Sequence, residues 1–447
     1  MDISKFLYNL HYNPGEVVSA SYTIEDTIQR NSEGFYKGYG IDFLKLQQKS
    51  PIVKVILKSY GDIFFNRVEN KKKPLIFCRK MTPSGGGLYP INIFICTNFK
   101  NRIALFQFDF KRNLLIFIKY INIEINNECT KLYLVPCYTR NYFKYKEFSY
   151  RLCPLDTGYL ISTLLYNFSV ENITFKLSIK LNKNSDITDV LNEIGCEEIP
   201  YSIIELNESL NLDNLSLEHY DTESYFFNPN KVRNLLEIDT LIHQEYHKDI
   251  NINFNNENKL FEKFEIQKRI SPGGEFIQNS KVEQESINKF ISLIMQYKNK
   301  SNFLSEYILL NLIDVQNKRI INLSASEFLS YKNNVSIEFI DKQLTRRNFN
   351  LLAVPYILYV GVNEEKIKEN YSNNYFKISR IIAGFWSGVV SILSAQCGLS
   401  THPMMSYNAR ELEEYIFKNR YSILNQIVIG GNITTNRMDS MLIRSDL

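Results

Sequence analysis

Apolar and polar positions alternate in short blocks early in the chain and change to helical spacing before its middle. Between Pro90 and Ile121, three β-rich runs at 91–97, 103–110 and 114–120 are separated by Asn, Lys and Arg turns, which predicts a meander. A further strand is predicted at 131–136. Residues 155–168 carry Leu160, Leu164, Leu165 and Phe168 at helical spacing after an Asp-Thr start, which predicts a helix. From 207 to about 258 the composition turns to Asn, Asp, Glu and Ser, the pattern of a linker or surface excursion. Beyond it the pattern predicts a helix at 284–297, strands at 307–314, 319–323 and 351–362, a long helix at 378–397 and a last strand at 426–429. Gly158-Tyr-Leu-Ile-Ser-Thr-Leu-Leu is similar to Gly384-Phe-Trp-Ser-Gly-Val-Val-Ser, each inside a predicted helix with a strand downstream. This is a faint internal repeat, since any two buried helices share apolar periodicity.

The chain has 447 residues, past the roughly 250–300 at which single cores stop growing, so at least two lobes are expected. With 44% hydrophobic and 22% charged residues it has the composition of a folded protein. Fifty-two Lys and Arg against 48 Asp and Glu leave a net charge of +4, too balanced for a dedicated nucleic-acid binder. Seven scattered cysteines form no C-x-x-C pair, which points to a reducing cytoplasm. No basic-then-apolar N-terminal segment and no uninterrupted apolar run of about 18 residues is present, so a soluble, cytoplasmic protein away from membranes is expected. His243 and His247 are spaced i, i+4, but no third ligand is identifiable, and no metal is expected.

Candidate chemistry begins with Arg79-Lys-Met-Thr-Pro-Ser-Gly-Gly-Gly-Leu-Tyr-Pro90, directly before a predicted strand. Consecutive glycines remove every Cβ from one wall of a loop and let backbone amides approach a flat ring or an anion, while Pro83 and Pro90 stiffen its ends. The loop is neither a Walker A sequence nor a Rossmann fingerprint; an ordinary flexible turn is the alternative. In Lys144-Tyr-Lys-Glu-Phe-Ser-Tyr-Arg-Leu-Cys-Pro-Leu-Asp-Thr-Gly158, Lys144 beside Tyr145 sets a cationic donor next to a phenol, a combination suited to acid–base work. A solvated loop entering the helix is the alternative there. Arg269 and Ser271, in Gln267-Lys-Arg-Ile-Ser-Pro-Gly-Gly-Glu-Phe276, have the chemistry to grip a phosphate, with a surface turn as the alternative. Arg437, near the C-terminus, is a further cation for the same anion.

Taken in order, these stretches resemble the flavin-dependent nitroreductase fold, and within it the SagB/McbC-type azoline dehydrogenases that mature ribosomally made peptides. The family's Pro-Ser-Gly-Gly-Ala/Gly-Leu-Tyr-Pro segment is matched from Pro83 to Pro90, and its Lys-Tyr pair and following helix by Lys144, Tyr145, Tyr150, Arg151, Asp156 and Gly158. Phe148 and Tyr159 depart from the family's usual Arg and His. Arg269-Ile-Ser is similar to the family's Arg-Arg-Ser phosphate-binding start, for which Arg30-Asn-Ser is a poor candidate in the first half. The resemblance implies an α+β fold of two tandem lobes forming a pseudo-dimer with flavin at the lobe interface. It divides the chain into an N-terminal extension (1–44), a lobe with the glycine loop and the Lys-Tyr pair (45–206), a linker (207–258) and a lobe with the phosphate-binding Arg-x-Ser (259–447).

The resemblance further implies an FMN-dependent dehydrogenase that oxidises thiazoline or oxazoline rings of a precursor peptide to azoles. Lys144 and Tyr145 are then the catalytic pair, and Pro83, Ser84, Gly85, Gly86, Arg269, Ser271 and Arg437 hold FMN. Which of Lys144 and Tyr145 is the base stays open. The distribution of motifs between the halves leads us to expect a single competent FMN site per chain. The partners implied are the precursor peptide and a cyclodehydratase or other biosynthetic-complex protein, and association of two such chains stays open. An NAD(P)H-dependent nitro or quinone reductase and a flavin-free scaffold subunit are the alternatives.

Overall fold

The computed structural model describes residues 2–14, 38–68, 75–123, 129–179, 187–210, 212, 215–220, 232–242, 249–254, 261–264, 269, 271, 277–301, 303–323, 330–332, 334–345, 350–432 and 438–439. Arg30, His243, His247 and Arg437 lie outside them. In the first part the elements are α1 (Ile3–Tyr12), β1 (Gly38–Asp42), α2 (Phe43–Gln47), α3 (Pro51–Tyr60), β2 (Phe64–Val68), β3 (Leu75–Arg79), β4 (Ile91–Phe99), β5 (Arg102–Asp109), β6 (Leu114–Tyr120), β7 (Thr130–Pro136), α4 (Tyr138–Tyr145), α5 (Ser149–Val170), β8 (Phe175–Ile179), α6 (Thr188–Glu193) and β9 (Ser202–Leu206). Then come β10 (Glu218–Tyr220), α7 (Arg233–Ile242) and β11 (Ile250–Phe254). The last part has α8 (Gln284–Lys300), β12 (Ile308–Asp314), β13 (Arg319–Asn322), β14 (Ser330–Lys332), α9 (Ile337–Lys342), β15 (Tyr356–Val362), α10 (Glu364–Tyr371), α11 (Tyr375–Gln396), β16 (Leu399–Met404), α12 (Ala409–Leu412), β17 (Ser422–Gly431) and β18 (Met438–Asp439).

The expected meander is β4–β5–β6, and its first turn is made by Lys100 and Asn101, both left-handed (φ 52° and 62°). That pairing of positive φ values suits a two-residue hairpin because its twist matches the strands. Among the described residues, one sheet has nine strands in the order β10-β1-β6-β5-β4-β7-β9-β8-β11, and a second has six in the order β14-β13-β12-β15-β17-β16. The run β6-β5-β4-β7-β9-β8 of the first is therefore the second sheet over again.

The repetition extends to residue positions. The span β7, α4, a 3₁₀ turn at Lys146–Phe148 and α5 recurs as β15, α10, a 3₁₀ turn at Ser372–Asn374 and α11, with every boundary displaced by 226 positions, as from Ser149 to Tyr375. The helices α5 and α11, buried along nearly their whole length, pack on each other. A Cβ at Gly158 would overlap the Ile381 carbonyl oxygen, and a Cβ at Gly384 the Leu155 carbonyl oxygen. These two contacts are the same contact with roles exchanged, which is the geometry of an isologous, two-fold-related interface. The segment Glu364–Gln396 is long and apolar enough to cross a membrane, but its most apolar 18-residue window is wholly buried in the protein, as a core helix should be.

Three local expectations change. The helix expected from 155 begins at Ser149 with Pro154 inside it, so Asp156 lies in a helix interior and its carboxylate is free of capping duty. The stretch 207–258 holds β10, α7 and β11, and β10 and β11 form the two edges of the nine-stranded sheet. Its polar composition misleads because an edge strand and an amphipathic helix each bury only one face. Likewise β1, inside the segment expected to be an extension, pairs with β6 and β10.

Two helices span the halves in matching ways. Arg151 of α5 donates to the Leu10 and His11 carbonyls of α1 (2.9 and 3.1 Å), while His11 Nε2 contacts Glu413 Oε1 beyond α12 at 2.8 Å. At the position 226 further on, Lys377 of α11 pairs with Asp239 of α7, whose other oxygen accepts from the Tyr138 hydroxyl of α4 at 2.9 Å. The Lys377–Asp239 pair is a buried ion pair, so removing either partner would leave an uncompensated charge, whereas α1 is held by the Arg151 donor and the His11–Glu413 contact.

Candidate active site

The loop between β3 and β4 owes its shape to its glycines. After Pro83 and Ser84 it makes a 3₁₀ turn at Gly85–Gly87, with φ of 65° at Gly86 and 69° at Gly87. Glycine enters this left-handed region without the clash a Cβ would bring. Tyr89, also left-handed at φ 50°, is held from three sides. Arg140 of α4 donates from Nη1 to the Tyr89 carbonyl (2.7 Å) and from Nη2 to Asn92 Oδ1 (2.8 Å). The Tyr89 hydroxyl accepts from the Lys80 N–H at 3.1 Å. Its own N–H donates to Ser84 Oγ (2.9 Å), which donates to Asp156 Oδ2 (2.7 Å), and the Gly85 N–H donates to Asp156 Oδ1 (3.3 Å).

The loop closes onto the Lys-Tyr pair. A Cβ at Gly86 would stand 2.5 Å from the Tyr145 hydroxyl and 2.6 Å from Lys144 Nζ, and one at Gly87 would stand 2.8 Å from Arg79 Nη1. Lys144 and Tyr145 end α4 and are half-buried, with Lys144 Nζ 5.2 Å from the Tyr145 ring centroid, a cation over a π face. They are thus helical residues, not members of a loop. The chain then turns at Lys146, whose φ of 47° is sparsely populated for a side-chain-bearing residue. Ser372 makes the same turn at φ 44° in the second half, so this strain belongs to the fold and not to the chemistry.

Positive charge gathers at the loop's base. Lys80 is buried, with Nζ 2.6 Å from Asp62 Oδ1 and 2.8 Å from the Tyr60 carbonyl, ringed by Tyr60, Tyr89 and Phe110. Arg269, 3% exposed, crosses from the second half and donates from Nη2 to the Lys80 carbonyl at 3.2 Å. Burial raises the Tyr89 pKa, and the Arg79 and Arg269 guanidiniums oppose that rise. Ser271 Oγ lies 2.8 Å from His402 Nδ1, and His402 is part of β16.

Of the residues singled out from sequence, Pro83, Ser84, Gly85 and Gly86 form one loop with Lys144 and Tyr145 against it, and Arg269 lies at its foot. Ser271 is engaged with His402, and Arg437 falls outside the described residues. Sequence reading passed over Arg79, Arg140 and Asp156 as site residues. Asp156 had a legible signal, a lone carboxyl in an otherwise apolar helical run; it is 2% exposed, and burial lifts its pKa to about 7 against the pull of its two donors. Tyr159 is buried too, and its hydroxyl is bonded to Asn425 of the second half.

The second half departs from the first at the equivalent place. Ile91 pairs with Pro136 and Ile308 with Val362, and the Pro90 and Tyr307 carbonyls accept from Cys137 N–H (2.6 Å) and Asn363 N–H (2.9 Å). Tyr307 therefore occupies the position of Pro90, and its hydroxyl meets Asn370, which occupies the position of Lys144. Tyr371 stands where the first half has Tyr145, and Ser305–Tyr307, at the positions of Leu88 to Pro90, forms a 3₁₀ turn.

No protein-family model matches this sequence, and no curated protein matches it either. Among solved structures, it is similar over 96% of its length to 99% of a chain described as a nitroreductase from Anabaena variabilis ATCC 29413, with TM-score 0.70 and 13% identity. An FMN-dependent nitroreductase from Clostridium difficile R20291 matches 38% of this chain over 87% of its own, at TM-score 0.26 and 14% identity. A nitroreductase family protein from Streptococcus pneumoniae TIGR4 matches 40% over 95% of its own, at TM-score 0.27 and 12% identity. The fold of the chain is α+β and nitroreductase-like.

Proposed function

We propose that the protein is an FMN-dependent oxidoreductase of the azoline dehydrogenase type, acting on thiazoline or oxazoline rings in a ribosomally made precursor peptide. The reading rests on one observation, the closure of Gly86 against Lys144 Nζ and the Tyr145 hydroxyl. Two segments 58 positions apart in sequence, each matching the same family motif set, meet at one place. The nitroreductase-like fold supports it.

The residues present suit the cofactor. Gly85, Gly86 and Gly87 leave the loop's backbone without Cβ atoms, so that its amides can approach a flat ring closely, and Arg79, Lys80 and Arg269 bring cations to the same region, as an anionic tail requires. Bound FMN would supply the acceptor for two electrons. The protein's own work is to orient the peptide's azoline and to take up the proton that its ring releases, at Lys144 Nζ or Tyr145 Oη. The azoline loses two hydrogens in becoming aromatic, one as that proton and one with the electron pair that bound FMN would accept, and aromaticity supplies the driving force. The matching region of the second half lacks the lysine and the glycines, which favours one working site per chain.

The test is an absorbance spectrum of the purified protein followed by anaerobic addition of an azoline-bearing peptide. Bleaching of the flavin bands together with a mass loss of two hydrogens from the peptide is expected. A colourless protein that stays colourless with added FMN, or one that instead consumes NAD(P)H to reduce nitro compounds or quinones, would replace this reading.

A further inference from the structure

The two halves give an internal control that separates what the fold needs from what the loop needs. Asp156 lies in the middle of α5, beside the glycine contact with α11. The position 226 further on, in a helix of the same length with the same contact, is Ile382, fully buried. A buried carboxyl is costly, and an apolar residue serves the second helix in its place. What the first half has and the second lacks is the glycine loop, and that is where both Asp156 oxygens go, to Ser84 Oγ and the Gly85 N–H. Ser84 Oγ in turn accepts from the Tyr89 N–H, so one carboxyl holds the loop's entrance and, through a hydroxyl, its exit.

We propose that Asp156 is a positioning residue for the candidate site, a strut from the core helix that fixes the Ser84–Gly85 end of the loop and thereby keeps Gly86 against Lys144 and Tyr145. The loop-fixing role stands on the geometry; its consequence for cofactor retention rests on the FMN reading above. The titratable groups that feel the Asp156 charge are Tyr60 on α3 and Cys153 and Tyr159 on its own helix, all neutral at pH 7. Its ionisation is therefore governed by burial against the two loop donors and not by a neighbouring ion.

The experiment compares Asp156→Ile, Asp156→Asn and Ser84→Ala with the wild type in the full chain, by amide hydrogen exchange across residues 84–90, by the thermal midpoint and by FMN retained on desalting. Asp156→Ile should fold with its midpoint kept, while exchange in the loop speeds about tenfold and FMN retention falls about tenfold, the loss expected when two hydrogen bonds to a buried acceptor are removed. Asp156→Asn and Ser84→Ala should each speed loop exchange by a smaller factor. Wild-type loop exchange in all the variants that fold would overturn the proposal. Loop exchange is read without cofactor, so loosened loops in a protein that never takes up FMN would sink the function reading and leave the strut intact.

Discussion

The Tyr307 hydroxyl accepts a 2.9 Å hydrogen bond from Asn370 Nδ2, at the two positions where the first half has Pro90 and Lys144. A buried tyrosine ring thus stands in the second half where the first has the proline that closes the glycine loop, and it meets an asparagine where the first has a lysine. One FMN per chain is expected on quantifying flavin released by denaturation against protein concentration; two per chain would show that Tyr307 does not close the second position.

Lys144→Ala and Tyr145→Phe should each lower azole formation by about 10²–10⁴-fold, the usual contribution of a positioned acid–base group, with the yellow cofactor still bound. Turnover by mass spectrometry alongside the flavin spectrum checks this. Retained turnover in both variants would remove the pair from the mechanism.

Gly86→Ala carries two penalties. A side chain at φ 65° costs about 1–2 kcal/mol, and its methyl meets Lys144 Nζ and the Tyr145 hydroxyl. The atoms it meets are tips of long side chains, so the pair should be displaced more than the fold is broken. A midpoint lowered by a few degrees with turnover reduced at least about tenfold is expected, measured by thermal unfolding and by the azole assay.

Arg269→Ala removes a buried cation from the loop's foot and its bond to the Lys80 carbonyl. About tenfold weaker FMN retention is expected, in line with losing one charge-assisted contact, as measured by dialysis against flavin-free buffer. Unchanged retention would place the phosphate grip elsewhere.

Asp156 binds a proton in the folded protein up to a pH of about 7, against about 3.8 for an ordinary carboxyl. Between those values the folded state holds a proton that the unfolded state has lost, so Asp156 makes stability fall as pH rises, by up to about 1.4 kcal/mol per unit. Glu198 and Glu413, also lifted to about 7 by burial, act in the same sense, and His11, lowered by burial, acts in the opposite one. The clean quantity is the difference between wild type and Asp156→Asn in denaturant unfolding from pH 4 to 8. The variant should gain on the wild type as pH rises to 7 and level off beyond it.

Much of the first sheet was legible because its signal is local. Three β-rich runs separated by polar turns set β4, β5 and β6, and Lys100 and Asn101 marked the first of those turns. The faint likeness around Gly158 and Gly384 also proved spatial, since each glycine is required where the other helix's backbone passes. The stretch 207–258 was misread because α7 and β11 gain their burial from partners far away in sequence, among them Tyr138, Lys377 and the strand β8.

For the candidate site, the amino-acid sequence alone determined the chemistry available, a glycine wall, a lysine beside a phenol and several arginines, because residue type fixes what a group can donate, accept or leave out. Only the tertiary structure decided which of these meet. Gly86 reaches Lys144 because α4 packs under the loop, Arg269 reaches Lys80 from the other half, and Asp156 supports Ser84 from inside a helix. Contacts between distant segments depend on how helices and sheets stack, and no spacing along the chain encodes that stacking.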